Sequence, residues 1–98
     1  MIVSLDTAYF TPIEEQNVWL SQQLSGTHRV KFAHYHQPAY PSCKKTSHNA
    51  DVEIWENWVP VFDSKGLDVA MENHVHSFKK TYPLKNNTVS KDDGTIYI

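Results

Sequence analysis

One cysteine, Cys43, in 98 residues leaves no partner for an intrachain disulfide and excludes a zinc site built on several thiolates. An excess of charge of one sign is missing too. Nine Lys and Arg stand against eleven Asp and Glu, a formal net charge of -2, which argues against a nucleic-acid footprint or a polybasic membrane patch. No apolar run approaches the roughly 20 residues of a membrane span. The opening Met1-Ile-Val-Ser-Leu-Asp6 lacks the basic n-region and long apolar stretch of a signal peptide. Neither nucleic acid nor membrane is expected as a partner, and localisation stays open. There are no internal repeats or low-complexity segments.

What is present points to a folded domain. Apolar residues make up 40% and aromatic residues 12% of the chain, a mixture that disordered chains lack. A chain of this size buries about 60–65% of its unfolded surface, enough for a single core. Residues 1–98 are therefore one domain. The unusual component is histidine, at positions 28, 34, 36, 48, 74 and 76.

Local patterning alternates between strand and helix. Ile2-Val-Ser-Leu5 has the short apolar run of a buried strand. Thr11-Pro12-Ile13-Glu14 carries the helix-start signature, with Thr11 and Glu14 as a capping box and Pro12 where its missing N–H costs nothing. The spacing predicts a helix through Leu24, with Ile13, Leu20 and Leu24 on one stripe and Ser25-Gly26 ending it. Arg29-Val-Lys-Phe-Ala33 alternates polar and apolar and predicts a strand ending near His34. Residues 37–49, with two prolines, two serines and two lysines, read as a surface loop of a length that is often functional. Val52, Trp55, Val59 and Phe62 then follow helical spacing, widened by Ile54, Trp58 and Val61, with a kink expected at Pro60 and an end at Lys65-Gly66. Leu67-Asp-Val-Ala-Met71 is a further strand, and Gly94-Thr-Ile-Tyr-Ile98 the last. Between them lies a polar stretch, in which Asn86-Asn-Thr88 is a glycosylation pattern meaningful only in a secreted chain.

This order predicts an α/β fold of parallel strands with helical crossovers, whose ligands collect beyond the carboxyl ends of the strands. His34/His36 and His74/His76 follow two successive strands, so both pairs are expected on one rim. Neutral imidazole is the commonest metal ligand, and His-x-His on an extended backbone can direct both rings to one centre. A plainer account is open: His28, His34 and His48 as solvated or backbone-bonded side chains, and the Trp and Phe residues as core.

The segment Tyr35-His-Gln-Pro-Ala-Tyr-Pro-Ser42 is similar to the His-x-Pro-x-Tyr stretch of calcineurin-like metallophosphoesterases of the purple-acid-phosphatase type. Asn73-His-Val-His-Ser-Phe78 resembles their Gly-His-x-His motif and its following aromatic residue. Gln16-Asn-Val-Trp-Leu20 and Gly94-Thr-Ile-Tyr97 resemble a helix and a strand of the same family, in the same order. The resemblance implies the C-terminal half of an α/β/β/α sandwich, with His36 and His74 on one metal ion and His76 on its neighbour. The metals would be iron, zinc or manganese, activating a water for attack on a phosphoester. His48 is the nearest match to the loop histidine that contacts phosphate or protonates the leaving group; His34 matches no ligand.

Three departures qualify the likeness. Asn73 stands where the family has glycine, as the next best residue for a left-handed turn. Glu72 lies beside the metal motif, as a replacement ligand or, preferentially, a side chain pointing outward. The Asp-x-His, Gly-Asp and Gly-Asn-His motifs that carry the other ligands are absent. The expected function is therefore that of an acid-phosphatase-like hydrolase half-site, weak or inactive alone, to be complemented by an N-terminal half or by self-association. The alternatives are a non-enzymatic histidine-rich metal-binding or interaction module, or an inactive fragment.

Overall fold

A computed structural model describes residues 1–98. Four parallel strands form the main sheet: β1 (Ile2–Ser4), β2 (Phe32–Tyr35), β3 (Val69–Glu72) and β6 (Ile96–Tyr97). Their spatial order is their chain order, β1-β2-β3-β6. The first crossover contains α1 (Asn17–Leu24). The second contains α2 (Ala50–Asn57) and α3 (Val59–Lys65), and the third carries a hairpin of β4 (Leu84–Lys85) and β5 (Thr88–Val89). The expected α/β class with parallel pairing and helical crossovers is what the chain adopts.

One face of the sheet is covered. Val3, Ala33, Tyr35, Ala70 and Tyr97 point into a single core with Ile13, Leu20 and Leu24 around α1 and Ile54, Trp58 and Phe62 from α2 and α3. Leu20, Leu24, Ile54 and Phe62 are fully buried, each contributing about 1.5–3 kcal/mol of transfer free energy. The other face is open. Ile2, Phe32, Val69 and Ile96 are paired in register across all four strands, an apolar row on the side away from the core. Ile2 is 59% exposed, and Met1, Ile2, Phe32 and Met71 line a predominantly apolar hollow. Parallel sheets ordinarily have both faces covered, so this row is the anomaly of the fold.

Several local expectations need correction. Thr11 does not cap the first helix. Its N–H, with those of Tyr9 and Phe10, is held by the Asp6 carboxylate at 2.7–2.9 Å. Gln16 meanwhile donates to the carbonyls of Asp6 at 2.6 Å and Pro12 at 3.2 Å and accepts from the Asp6 N–H at 3.0 Å. The helix consequently opens with a 3-10 turn, Glu14–Gln16, without a side-chain cap. In the second crossover the buried row is Ala50, Ile54, Trp58 and Phe62, at i, i+4, i+8 and i+12, while Val52 and Trp55 are 48% and 44% exposed. The break falls at Trp58, with Pro60 in the first turn of α3, where it lacks nothing. Gly66 ends α3 in the left-handed conformation, φ 64°.

The hairpin was hidden in the polar stretch. Asn86 and Asn87 both have positive φ, 52° and 56°, which two-residue hairpin turns of the primed type require and Asn tolerates. The loop after β2 also starts differently from expectation: Gln37, Pro38 and Ala39 are buried rather than at the surface.

Candidate functional site

β2 and β3 are parallel neighbours, in register from Phe32↔Val69 to Tyr35↔Glu72. Residues just beyond both strands therefore emerge side by side. His36 Nε2 lies 3.2 Å from His74 Nδ1, with the ring planes at 77°. Two imidazole nitrogens on a tetrahedral ion at 2.0–2.1 Å are about 3.3 Å apart, so this spacing matches two adjacent corners of a coordination sphere. It equally matches a hydrogen bond between the rings if one nitrogen carries the proton. Ligation through these atoms needs the protons on His36 Nδ1 and His74 Nε2, and both rings neutral. Burial, then the charges of Lys44, His36 and His76, hold the His74 pKa below the ordinary imidazole range, which favours that neutral state.

The remaining sequence candidates are distributed around this pair. His76 is exposed beyond it. His34 lies on the open face of the sheet, and its Nε2 is 3.2 Å from Asn73 Nδ2. His48 sits in a 3-10 turn of the long loop, away from the histidine pair, and lines a cleft with Thr7, Tyr9, Gln37, Ser47 and Glu53. No three His, Cys, Asp or Glu side chains come together as a group able to hold a metal ion. The structure thus joins His36 to His74, links His34 only through Asn73, and does not assemble a full ligand set.

The backbone around the motif is unusual. His74 and His76 have φ of 64° and 57°, both left-handed, whereas Asn73 does not. The expectation that Asn73 takes the left-handed turn is therefore displaced by one residue. Asn73 instead acts as a tie, accepting no special dihedral: its N–H donates to His36 O at 3.1 Å and its Nδ2 to Tyr35 O at 2.9 Å.

Glu72 contradicts the reading of an outward-pointing side chain. Its side chain is 1% exposed. Oε1 accepts from the Tyr35 hydroxyl and from the Ala39 N–H, both at 2.7 Å, and Oε2 is paired with the Lys79 ammonium, which also donates to Tyr40 O. With both oxygens so occupied, it is not a replacement ligand in this arrangement either. Burial, with the Glu72 charge next, raises the Tyr35 pKa well above its ordinary value, so the hydroxyl remains a donor. The sequence signal for this cluster was available but indirect. Aligning the two histidine-bearing strand ends places Tyr35 beside Glu72, yet nothing in the spacing announces Lys79.

Gln37, also missed, fixes the base of the long loop. Its N–H donates to Thr7 Oγ1 at 3.3 Å, its Nε2 to Tyr9 OH at 3.4 Å, and its Oε1 accepts the Ser47 N–H at 3.2 Å. Tyr9 in turn meets the His36 ring edge-on at 6.0 Å between centroids.

No protein-family profile matches the chain. Two curated relatives are from Mycobacterium tuberculosis: uncharacterized protein MT2654 (strain CDC 1551 / Oshkosh) and uncharacterized protein Rv2577 (strain ATCC 25618 / H37Rv). Each is 29% identical over 76 residues, covering 72% of this chain. The chain spans 14% of the length of these relatives.

Proposed function

We propose that the chain carries part of the metal centre of a metal-dependent phosphoesterase, with His36 and His74 as ligands of one ion and His76 of a second. The observation that carries this is the 3.2 Å approach of His36 Nε2 to His74 Nδ1 at the ends of adjacent parallel strands. The open apolar sheet face and the longer relatives support a domain completed by further polypeptide, as the second layer of an α/β/β/α sandwich would complete it. Iron, zinc or manganese, once bound, supplies a polarised phosphoryl oxygen and an acidified water. The chain's own contribution is to hold the His36 and His74 imidazoles 3.2 Å apart, to supply His76 two residues further on, and to carry His48 in the long loop as the candidate contact to the phosphate or leaving group.

Two histidines give modest affinity, and the bridging carboxylate of a two-metal site is not in the sequence. The isolated chain is therefore expected to bind zinc or cobalt weakly and to hydrolyse an aryl phosphate negligibly. Titration calorimetry with each metal, on the wild type and on His74→Ala, checks the first point; turnover of an aryl phosphate checks the second. Robust metal-dependent turnover by the 98-residue chain would overturn the half-site reading. A second reading, a non-enzymatic histidine-rich binding module, needs His34 Nε2 to exchange its 3.2 Å contact with Asn73 Nδ2 for a metal ion. That reading requires one tightly held zinc per chain, lost in His34→Ala as well as in His74→Ala.

A further inference from the structure

The buried Glu72 carboxylate touches every segment that carries the histidine pair. Through Tyr35 it holds the residue before His36, and through Ala39 N–H the loop three residues after it. It is itself two residues before His74, and through Lys79 it holds the chain three residues after His76. We infer that Glu72 is a positioning residue: its carboxylate staples the two histidine-bearing strand ends together and sets the His36–His74 approach. This rests on the proposed metal pair for its functional meaning, although the geometric claim stands separately.

Stability alone accounts poorly for the group. A buried ion pair is on average no better than apolar side chains of equal volume, because desolvation offsets the attraction between the charges. What an apolar side chain cannot do is grip three separate segments by directional bonds at once. A carboxylate can, having two oxygens and about four acceptor directions. Here the gripped points, residues 35, 39 and 79, lie on both sides of the two histidine motifs. Removing the charge while keeping the shape, as in Glu72→Gln, leaves an amide N–H₂ facing either Lys79 or the two donors of Oε1. At least one tie must then open.

The test uses the full chain with two readouts. The first is a cross-peak between His36 and His74 ring protons by NMR without metal, expected in the wild type from ring centroids 5.1 Å apart. The second is cobalt affinity with its absorption spectrum. Glu72→Gln is expected to lose the cross-peak and to weaken cobalt binding about tenfold, the usual cost of a lost supporting contact. Leu24→Val, a buried change at the far end of α1, serves as a control for general destabilisation and should retain both. If Glu72→Gln fails to fold, Tyr35→Phe removes one tie while keeping the ring in the core, and a smaller loss of about threefold is expected. A cross-peak and affinity unchanged within about twofold in folded Glu72→Gln overturn the inference, as does equal loss in Leu24→Val. Absence of cobalt binding by the wild type instead overturns the metal reading, and the cross-peak then decides the positioning role by itself.

Discussion

Replacing His76 by glycine and, separately, by alanine isolates the cost of the backbone that presents the histidines. His76 has φ 57° and is exposed, so both substitutions delete an imidazole that buries little surface. They differ in the conformational preference left behind. An L-residue with a Cβ in the left-handed region loses about 1–2 kcal/mol to the contact between Cβ and the carbonyl oxygen. Glycine avoids that contact but gives up roughly 0.5–1 kcal/mol through the greater freedom of its unfolded chain. Glycine should therefore be the more stable variant by about 1 kcal/mol, the reverse of their order in an ordinary helix. For a domain near 100 residues this is a Tm difference of about 4–8 °C, well within reach of a thermal melt or urea titration. Metal affinity should fall equally in both, since both lack the imidazole. An alanine variant as stable as the glycine variant would show that residue 76 is not held left-handed, and the idea of a strained presentation would fail with it.

Other perturbations read other parts of the molecule. Trp58→Phe keeps most of the buried ring but removes the Nε1 donor 3.0 Å from the Ile13 carbonyl, which keeps only the Gln16 N–H at 3.2 Å, and should cost about 0.5–1.5 kcal/mol in urea unfolding; a loss near zero would mean that this bond does not hold the turn before α1 to the junction of α2 and α3. Burial raises the Asp6 pKa, but the N–H donors of Tyr9, Thr11 and Phe10 outweigh it and hold the carboxyl below its ordinary value. A group with a depressed folded pKa stabilises above its unfolded pKa, near 4, and loses that contribution as pH falls through the folded value. The wild type should therefore lose stability below pH 4 more steeply than Asp6→Asn, and parallel pH profiles would refute the assignment. Phe32→Lys with Ile2→Lys, on the open face of the sheet, should reduce self-association in sedimentation; unchanged association would place any contact elsewhere.

The legible parts of the fold were those written in short-range pattern. Strand and helix order followed from apolar periodicity, and Gly66 marked its helix end as expected. The site was legible as far as two strand ends with histidines, because parallel register converts sequence position into adjacency. What was illegible depends on contacts distant in sequence. Asp6 outcompetes Thr11 for the N–H groups at the first helix because the loop folds back over it, which no capping signature reports. Glu72 turns inward only because Tyr35, Ala39 and Lys79, from three other places, supply its partners. The shift of the buried stripe toward Ala50 and Ile54 has a similar origin. Both faces of that segment are apolar enough to bury, and the sheet beneath selects one.

The strand order β1-β2-β3-β6 has a bearing on how the molecule is made. No later strand must slip between two earlier ones, so the sheet can grow at one edge as the chain leaves the ribosome. His36 is then in place at the end of β2 well before its neighbour exists. The imidazole pair is completed only when β3 is laid down, and a chain interrupted before residue 74 would have a sheet edge but no site. Docking of β3 and formation of the histidine pair are thus one event, and protection of the β3 amides in hydrogen exchange should report on both.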